Sequence, residues 1–159
     1  MNETVRATIE SAIKECDGHV AKCRRARSLL APTFPLTSDD FKKMGEEQIE
    51  HLDQFIYRFT KMQDSMGTRL LPSLYRYVEA DDAPKPFLNV LLRLEQLEIL
   101  TSAEQWQFFR NLRNNLAHDY PESIDQTVDT LNTLNEDFEA FEDMYNKIRR
   151  YWESLQQDS

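Results

Sequence analysis

Five residues of reactive type fall close together in the second half of this chain: Arg110, Arg113, Asn114, His118 and Tyr120. On a helix, at about 100° per residue, Arg110, Asn114 and His118 sit at i, i+4 and i+8 on one side. Arg113 lies beside Arg110, and Ala117 is the small residue between them. Phe108, Phe109, Leu112 and Leu116 take the other side. The polar side carries no acid between Glu104 and Asp119. An ordinary solvated helix face mixes signs, because opposite charges four residues apart support each other. A face of two arginines, an amide and an imidazole suits an anion instead.

The residue types name the chemistry. A guanidinium stabilises charge that builds on a phosphate oxygen. His118 changes charge near neutral pH without help, and a place in the last helical turn favours its imidazolium. Asn114 can orient a hydroxyl or a water. The set matches metal-free RNA cleavage, in which a ribose 2′-hydroxyl attacks the neighbouring phosphate and histidine moves the protons. Arg113 and His118 are five residues apart, about 140° around the helix, so they meet only if both reach toward one cleft. The same residues would also hold a nucleotide without cleaving it.

Other reactive types are read more plainly. Cys16, His19 and Cys23 lie along one helix, but structural zinc sites usually draw four ligands from more than one element. The cysteines also fit an apolar stripe, as small buried thiols of a reducing compartment. Their separation of seven residues, about 10 Å of helix, is too long for a disulfide. His51 follows Glu46, Glu47 and Glu50 and is expected to be exposed. Lys22, Arg24, Arg25 and Arg27 form a basic island suited to a helix end or to RNA. Trp106 shares the Arg110 side and is expected to stack on a base or to be buried between two copies of the chain. Asp39-Asp40 and Asp81-Asp82 read as a cap and a loop. There is no glycine-rich phosphate loop, no HExxH and no serine nucleophile set.

The elements that position these residues follow from the pattern. The chain has 159 residues with only 3 glycines and 6 prolines. That suffices for one core, so residues 1–159 are expected to form one all-α domain, an antiparallel bundle of four to five helices. The opening segment carries acids among its apolar residues and does not look like a signal peptide. No apolar run reaches about 18 residues, so a cytoplasmic protein away from the membrane is expected.

The net charge of −9 is unevenly spread. From Pro121 onward there are 10 acidic and 3 basic residues, against 18 and 16 before it. Four windows, 18–38, 65–78, 83–94 and 105–118, hold no acid. Their cations would make a basic face if they converged in space.

Apolar spacing of three and four marks a first helix from Glu3 to Leu30, stopped by Pro32 and Pro35. Thr37-Ser38-Asp39-Asp40 opens a second, long helix running on past Val78, with a kink or break expected at Gly67 and Pro72. A loop at 80–86 and a short helix ending at Leu100 follow. Thr101-Ser102-Ala103-Glu104 fits a capping box for the helix bearing the reactive residues, and Pro121 ends that helix. A last helix runs from Glu122 to the Tyr151-Trp152 region.

The run Arg113-Asn114-x3-His118-x-Tyr120 resembles the R-x4-H-x-Y motif of HEPN-domain toxins of the HepT-like kind. The words Arg58-Phe59-Thr60-Lys61-Met62-Gln63-Asp64-Ser65-Met66-Gly67 and Arg110-Asn111-Leu112-Arg113-Asn114 are also similar to that family. The resemblance implies a helical-bundle homodimer whose two motifs face one cleft. It implies a metal-independent endoribonuclease with no cofactor, in which Arg113 and His118 are catalytic, Asn114 assists, and Arg110 and Tyr120 lie on the RNA phosphate. It further implies a partner nucleotidyltransferase antitoxin that transfers AMP to Tyr120, where a bulky anion would occlude the cleft. Two chains would supply two copies of His118, one for each proton transfer. The alternative carried beside it is a non-catalytic helical subunit that presents a nucleotide to a nucleotidyltransferase.

Overall fold

A computed structural model describes residues 2–117 and 123–158. All regular secondary structure among the described residues is helical, with no strand. Helix α1 (Asn2–Leu30) is the expected first helix. It ends in a 3-10 turn, Ala31–Thr33, and a strap to Leu36 that Asn132 holds by hydrogen bonds to both the amide (2.7 Å) and the carbonyl (2.9 Å) of Leu36. Thr37 caps a five-residue helix, α2 (Ser38–Lys42), its hydroxyl accepting from the Asp40 amide.

The expected long helix is interrupted there. Gly45, in extended conformation, caps a new start at Glu46, so the second apolar stripe belongs to α3 (Glu46–Ser65) and not to one helix from Thr37. At Gly67 the chain neither breaks nor straightens. Met66–Leu70 widen into a π-helical turn, and α4 (Leu71–Glu79) continues from it with Pro72 in its first turn. Ala80, at φ 52°, closes α4 in the left-handed region.

Helix α5 (Phe87–Gln96) stops short of Leu100, and Ile99 and Leu100 are buried in the turn that follows. The cap of α6 (Ala103–Ala117) is Ser102 rather than Thr101: its hydroxyl accepts from the Gln105 amide at 2.8 Å, and Glu95 accepts from the Ala103 amide. Helix α7 (Ile124–Gln157) runs past Trp152 by a further turn. His118, Asp119, Tyr120, Pro121 and Glu122 lie outside the described residues, and with them the expected end of the motif helix at Pro121.

Contacts fix the register. Cys16 and Cys23 on α1 point their thiols at the Met62 and Phe55 carbonyls of α3, so α1 and α3 are antiparallel. Arg27 and Tyr145 tie α1 to α7 in the same opposed sense. Asp64 meets Arg110 and Arg113, while Gly67 meets Trp106, so α3 and α6 are also antiparallel. The centre is a set of edge-packed rings. Phe55 lies 5.3 Å from Phe138, Phe59 4.8 Å from Phe141, and Phe109 5.1 Å from Phe141. All five are buried, and offset or edge contacts are what aromatic quadrupoles prefer. Among the described residues no helix is long and apolar enough to cross a membrane.

Candidate functional site

Three residues of the anion-suited face of α6 lie within the described part of the chain, and they differ. Arg113 is 23% exposed and grips Asp64 of α3 with two parallel bonds, Nε to Oδ1 at 3.0 Å and Nη2 to Oδ2 at 2.9 Å. Arg110 donates through Nη1 to the same Oδ1 at 3.0 Å and to Oε1 of Gln63 at 3.0 Å. Asn114 is exposed, with no hydrogen-bond partner among the described residues.

The expectation of an acid-free face is therefore correct for α6 and incorrect for the assembled site. The acid arrives from a neighbouring helix. The hydrogen bond from Arg113 holds the Asp64 carboxyl below the usual carboxylate range, and the same bond raises Arg113. The carboxylate fixes both guanidinium planes and offsets one of the two positive charges. Nη1 of Arg113, and Nε and Nη2 of Arg110, keep no partner among the described residues, so N–H groups remain for a phosphate.

Asp64 and Gln63 were named in the sequence only as part of a similar word and were given no role. The signal was present. Leu52, Phe55, Phe59, Met62 and Met66 mark the buried side of α3, and Gln63, beside Met62, is fully buried with them. A polar group inside an apolar stripe needs a partner, and Arg110 supplies one to Gln63 Oε1, while Gln63 Nε2 has none among the described residues.

Trp106 neither stacks on an exposed base nor waits for a second chain. It is 2% exposed within this one, its indole 3.1 Å from where a Cβ on Gly67 would stand, and its ring 6.0 Å from that of Phe87. Phe108, expected on the buried side, is 44% exposed, because α6 packs on α3 and α7 through Phe109 and Leu112. His51 is half-buried beside Glu47 rather than exposed. His19 faces Glu15 at 3.4 Å and Arg58 at 3.2 Å. Burial pushes both cysteines up to about 12. Among the described residues no three His, Cys, Asp or Glu side chains gather as a metal site would require.

Most cations of the acid-free windows are paired. Arg24 pairs with Glu142, Arg27 with Glu139, Arg69 with Glu15, Lys85 with Asp81, and Arg93 with Glu79, while Lys22, Arg25 and Arg76 make no ion pair among the described residues. The acidic α7 thus serves in part to neutralise α1. No family model, curated protein or solved structure matches the chain.

Proposed function

We propose that this chain is a metal-independent endoribonuclease toxin of the HEPN, HepT-like kind, acting as a homodimer. Its partner is a nucleotidyltransferase antitoxin that silences it by transferring AMP to Tyr120. The single observation that carries the reading is the clamp of Arg110 and Arg113 on Asp64. Two arginines on one helix face are pre-oriented by a carboxylate from α3, at a cost in charge but with N–H groups left over. Orientation fixed before the ligand arrives is what makes charged donors effective in a transition state. His118 follows this face in sequence by five residues from Arg113.

In this reading Arg113 and Arg110 hold the non-bridging oxygens of the scissile phosphate, and Asn114 positions the ribose. One His118 removes the proton of the 2′-hydroxyl as its oxygen bonds to phosphorus. The partner subunit's His118 gives a proton to the departing 5′-oxygen as the P–O5′ bond breaks. The products are a 2′,3′-cyclic phosphate and a 5′-hydroxyl end. AMP on Tyr120 would bring a phosphate to the same arginines and exclude the RNA.

The test is growth after induced expression of the wild-type chain beside His118→Ala. Arrest with the wild type, relieved by the substitution and accompanied by RNA fragments, supports the reading. Normal growth with both moves the chain to the non-catalytic nucleotide-holding subunit.

A further inference from the structure

Helix α6 has a second flank, turned to α7 rather than α3, and a groove runs between these two helices. Three recesses lie in line along it, of about 370, 270 and 370 Å³. The first two share Phe108, and the second and third share Asn115 and Thr130, so the three are continuous. The rims follow from helical spacing. Glu104, Phe108, Asn111 and Asn115 step by four, three and four along α6, while Asp129, Thr133, Asp137 and Ala140 step by four, four and three along α7. Glu104 meets Asp137 and Ala140 at one end, and Asn115 meets Asp129 at the other, so the helices are antiparallel. Phe109 and Leu112 are buried and close the floor. Phe108 stands between the first two recesses with nearly half of its surface in water.

Charge in this groove has one sign. Glu104, Asp137 and Asp129 line it, with Asp53 at the third recess, and no lysine, arginine or histidine does so among the described residues. None of these four carboxylates has an ion pair or a hydrogen-bond donor among the described residues. The contrast lies within α7 itself, where Glu139 and Glu142 face α1 and are neutralised by Arg27 and Arg24. Unpaired carboxylates repel a phosphate chain, and they repel a second copy of a chain whose net charge is −9. The uncovered phenyl ring calls for an apolar neighbour. One ligand answers both features if it carries cations and apolar side chains together.

We infer that the α6–α7 groove docks a basic amphipathic helix of a partner protein, its apolar side on Phe108 and its lysines or arginines against Glu104, Asp137 and Asp129. Glu104 to Asn115 spans eleven residues, about 16 Å, which matches an occupant of about three helical turns. A helix laid along such a groove is held by apolar anchors at steps of three and four. The groove is on the flank of α6 away from Arg110 and Arg113, so the inference does not depend on what those arginines hold.

The experiment measures fluorescence anisotropy of a labelled peptide of about twelve residues, long enough for three turns, with the full chain. One peptide carries leucines on one helical side and lysines on the other; a second has the same composition in an order that forms no such side. The first should bind at a single site and roughly tenfold more tightly than the second. Phe108→Ala should weaken it roughly tenfold. Glu104→Gln combined with Asp137→Asn should weaken it roughly fivefold. Asn111→Arg, at an exposed position on the rim, sets a cation of the chain's own in the groove and should abolish binding, which separates loss of the site from a packing defect in Phe108→Ala. Glu50→Gln combined with Asp82→Asn removes the same charge from exposed positions outside the groove and should change nothing. Equal affinity for the reordered peptide, or an equal loss in the outside pair, would reduce the binding to bulk charge and overturn the inference. Self-association of the chain that Phe108→Ala abolishes, with no peptide bound, would give the groove to a second copy and also overturn it. Peptide binding in a chain that cleaves no RNA would uphold the groove and remove the nuclease reading.

Discussion

The Asp64 clamp has a measurable energy, and its size follows from its exposure. Arg113 gives Asp64 two bonds at 2.9 and 3.0 Å, with side-chain exposures of 23% and 34%. Exposed ion pairs contribute about 0.2–1 kcal/mol, and bidentate geometry with partial burial places this one near the top, at about 1 kcal/mol. Arg110 makes one bond to the carboxylate and is 42% exposed, so solvent screening holds it to about 0.5 kcal/mol. Asp64→Ala should therefore cost about 1.5 kcal/mol, a fall in Tm of roughly 3–6 °C for a chain of this size. The assay is urea unfolding of the wild type, Asp64→Ala, Arg113→Ala and the double variant. The cycle should return a coupling of about 1 kcal/mol. Asp64 sits below its ordinary value of 3.8 because the arginines favour its charged form. Its contribution is thus fully present above that value and is lost as pH falls through the lower folded-state value. The gap between the wild type and Asp64→Ala should narrow below pH 3.8. A coupling of zero, or a gap that widens in acid, would refute the clamp.

Three further outcomes follow from the same structure. Cys16 and Cys23 are buried, their thiols turned to carbonyls and pushed up to about 12. An aromatic disulfide reagent at neutral pH should leave both untouched in the native protein and label both in denaturant; fast native labelling would contradict the packing of α1 on α3. The Tyr145 hydroxyl lies 2.6 Å from Asp17 Oδ1 and 3.0 Å from the Ile13 carbonyl in the α1–α7 contact. Tyr145→Phe should destabilise by about 1–2 kcal/mol in thermal unfolding, and a neutral result would mean the hydroxyl has no partner there. Arg27 spends Nε and Nη2 on the Asn135 carbonyl inside α7, so Arg27→Lys, which lacks the planar fork, should lose most of that contact and lower Tm by a few degrees; an unchanged Tm would show the fork is not used.

The helices were legible because their apolar spacing is regular. α1 and α7 follow from stripes such as Ile9-Ile13-Cys16-Val20 and Leu131-Leu134-Phe138-Phe141, all of them buried. The interruption at Gly45 was not, because Phe41 and Met44 continue the stripe of α3 while the chain direction changes beneath it. The π turn was visible only as Gly67 near Pro72, a pair that signals irregularity without saying which kind. At the site, Arg110 and Arg113 were legible as a pair from one helix. Their partner was not, because Asp64 lies 46 and 49 residues away and only the antiparallel register of α3 and α6 brings it near. Trp106 illustrates the same limit: its side of α6 was read correctly as the arginine side, but that side faces α3 at Gly67 and is closed there.

The measurement that tests the central claim most directly is cleavage of single-stranded RNA by the purified chain in a metal chelator, with Arg113→Ala and His118→Ala run beside it. The account predicts fragments ending in 2′,3′-cyclic phosphate from the wild type, lost in both variants while each retains its fold. Intact RNA with the wild type, or cleavage that survives both substitutions, would contradict it.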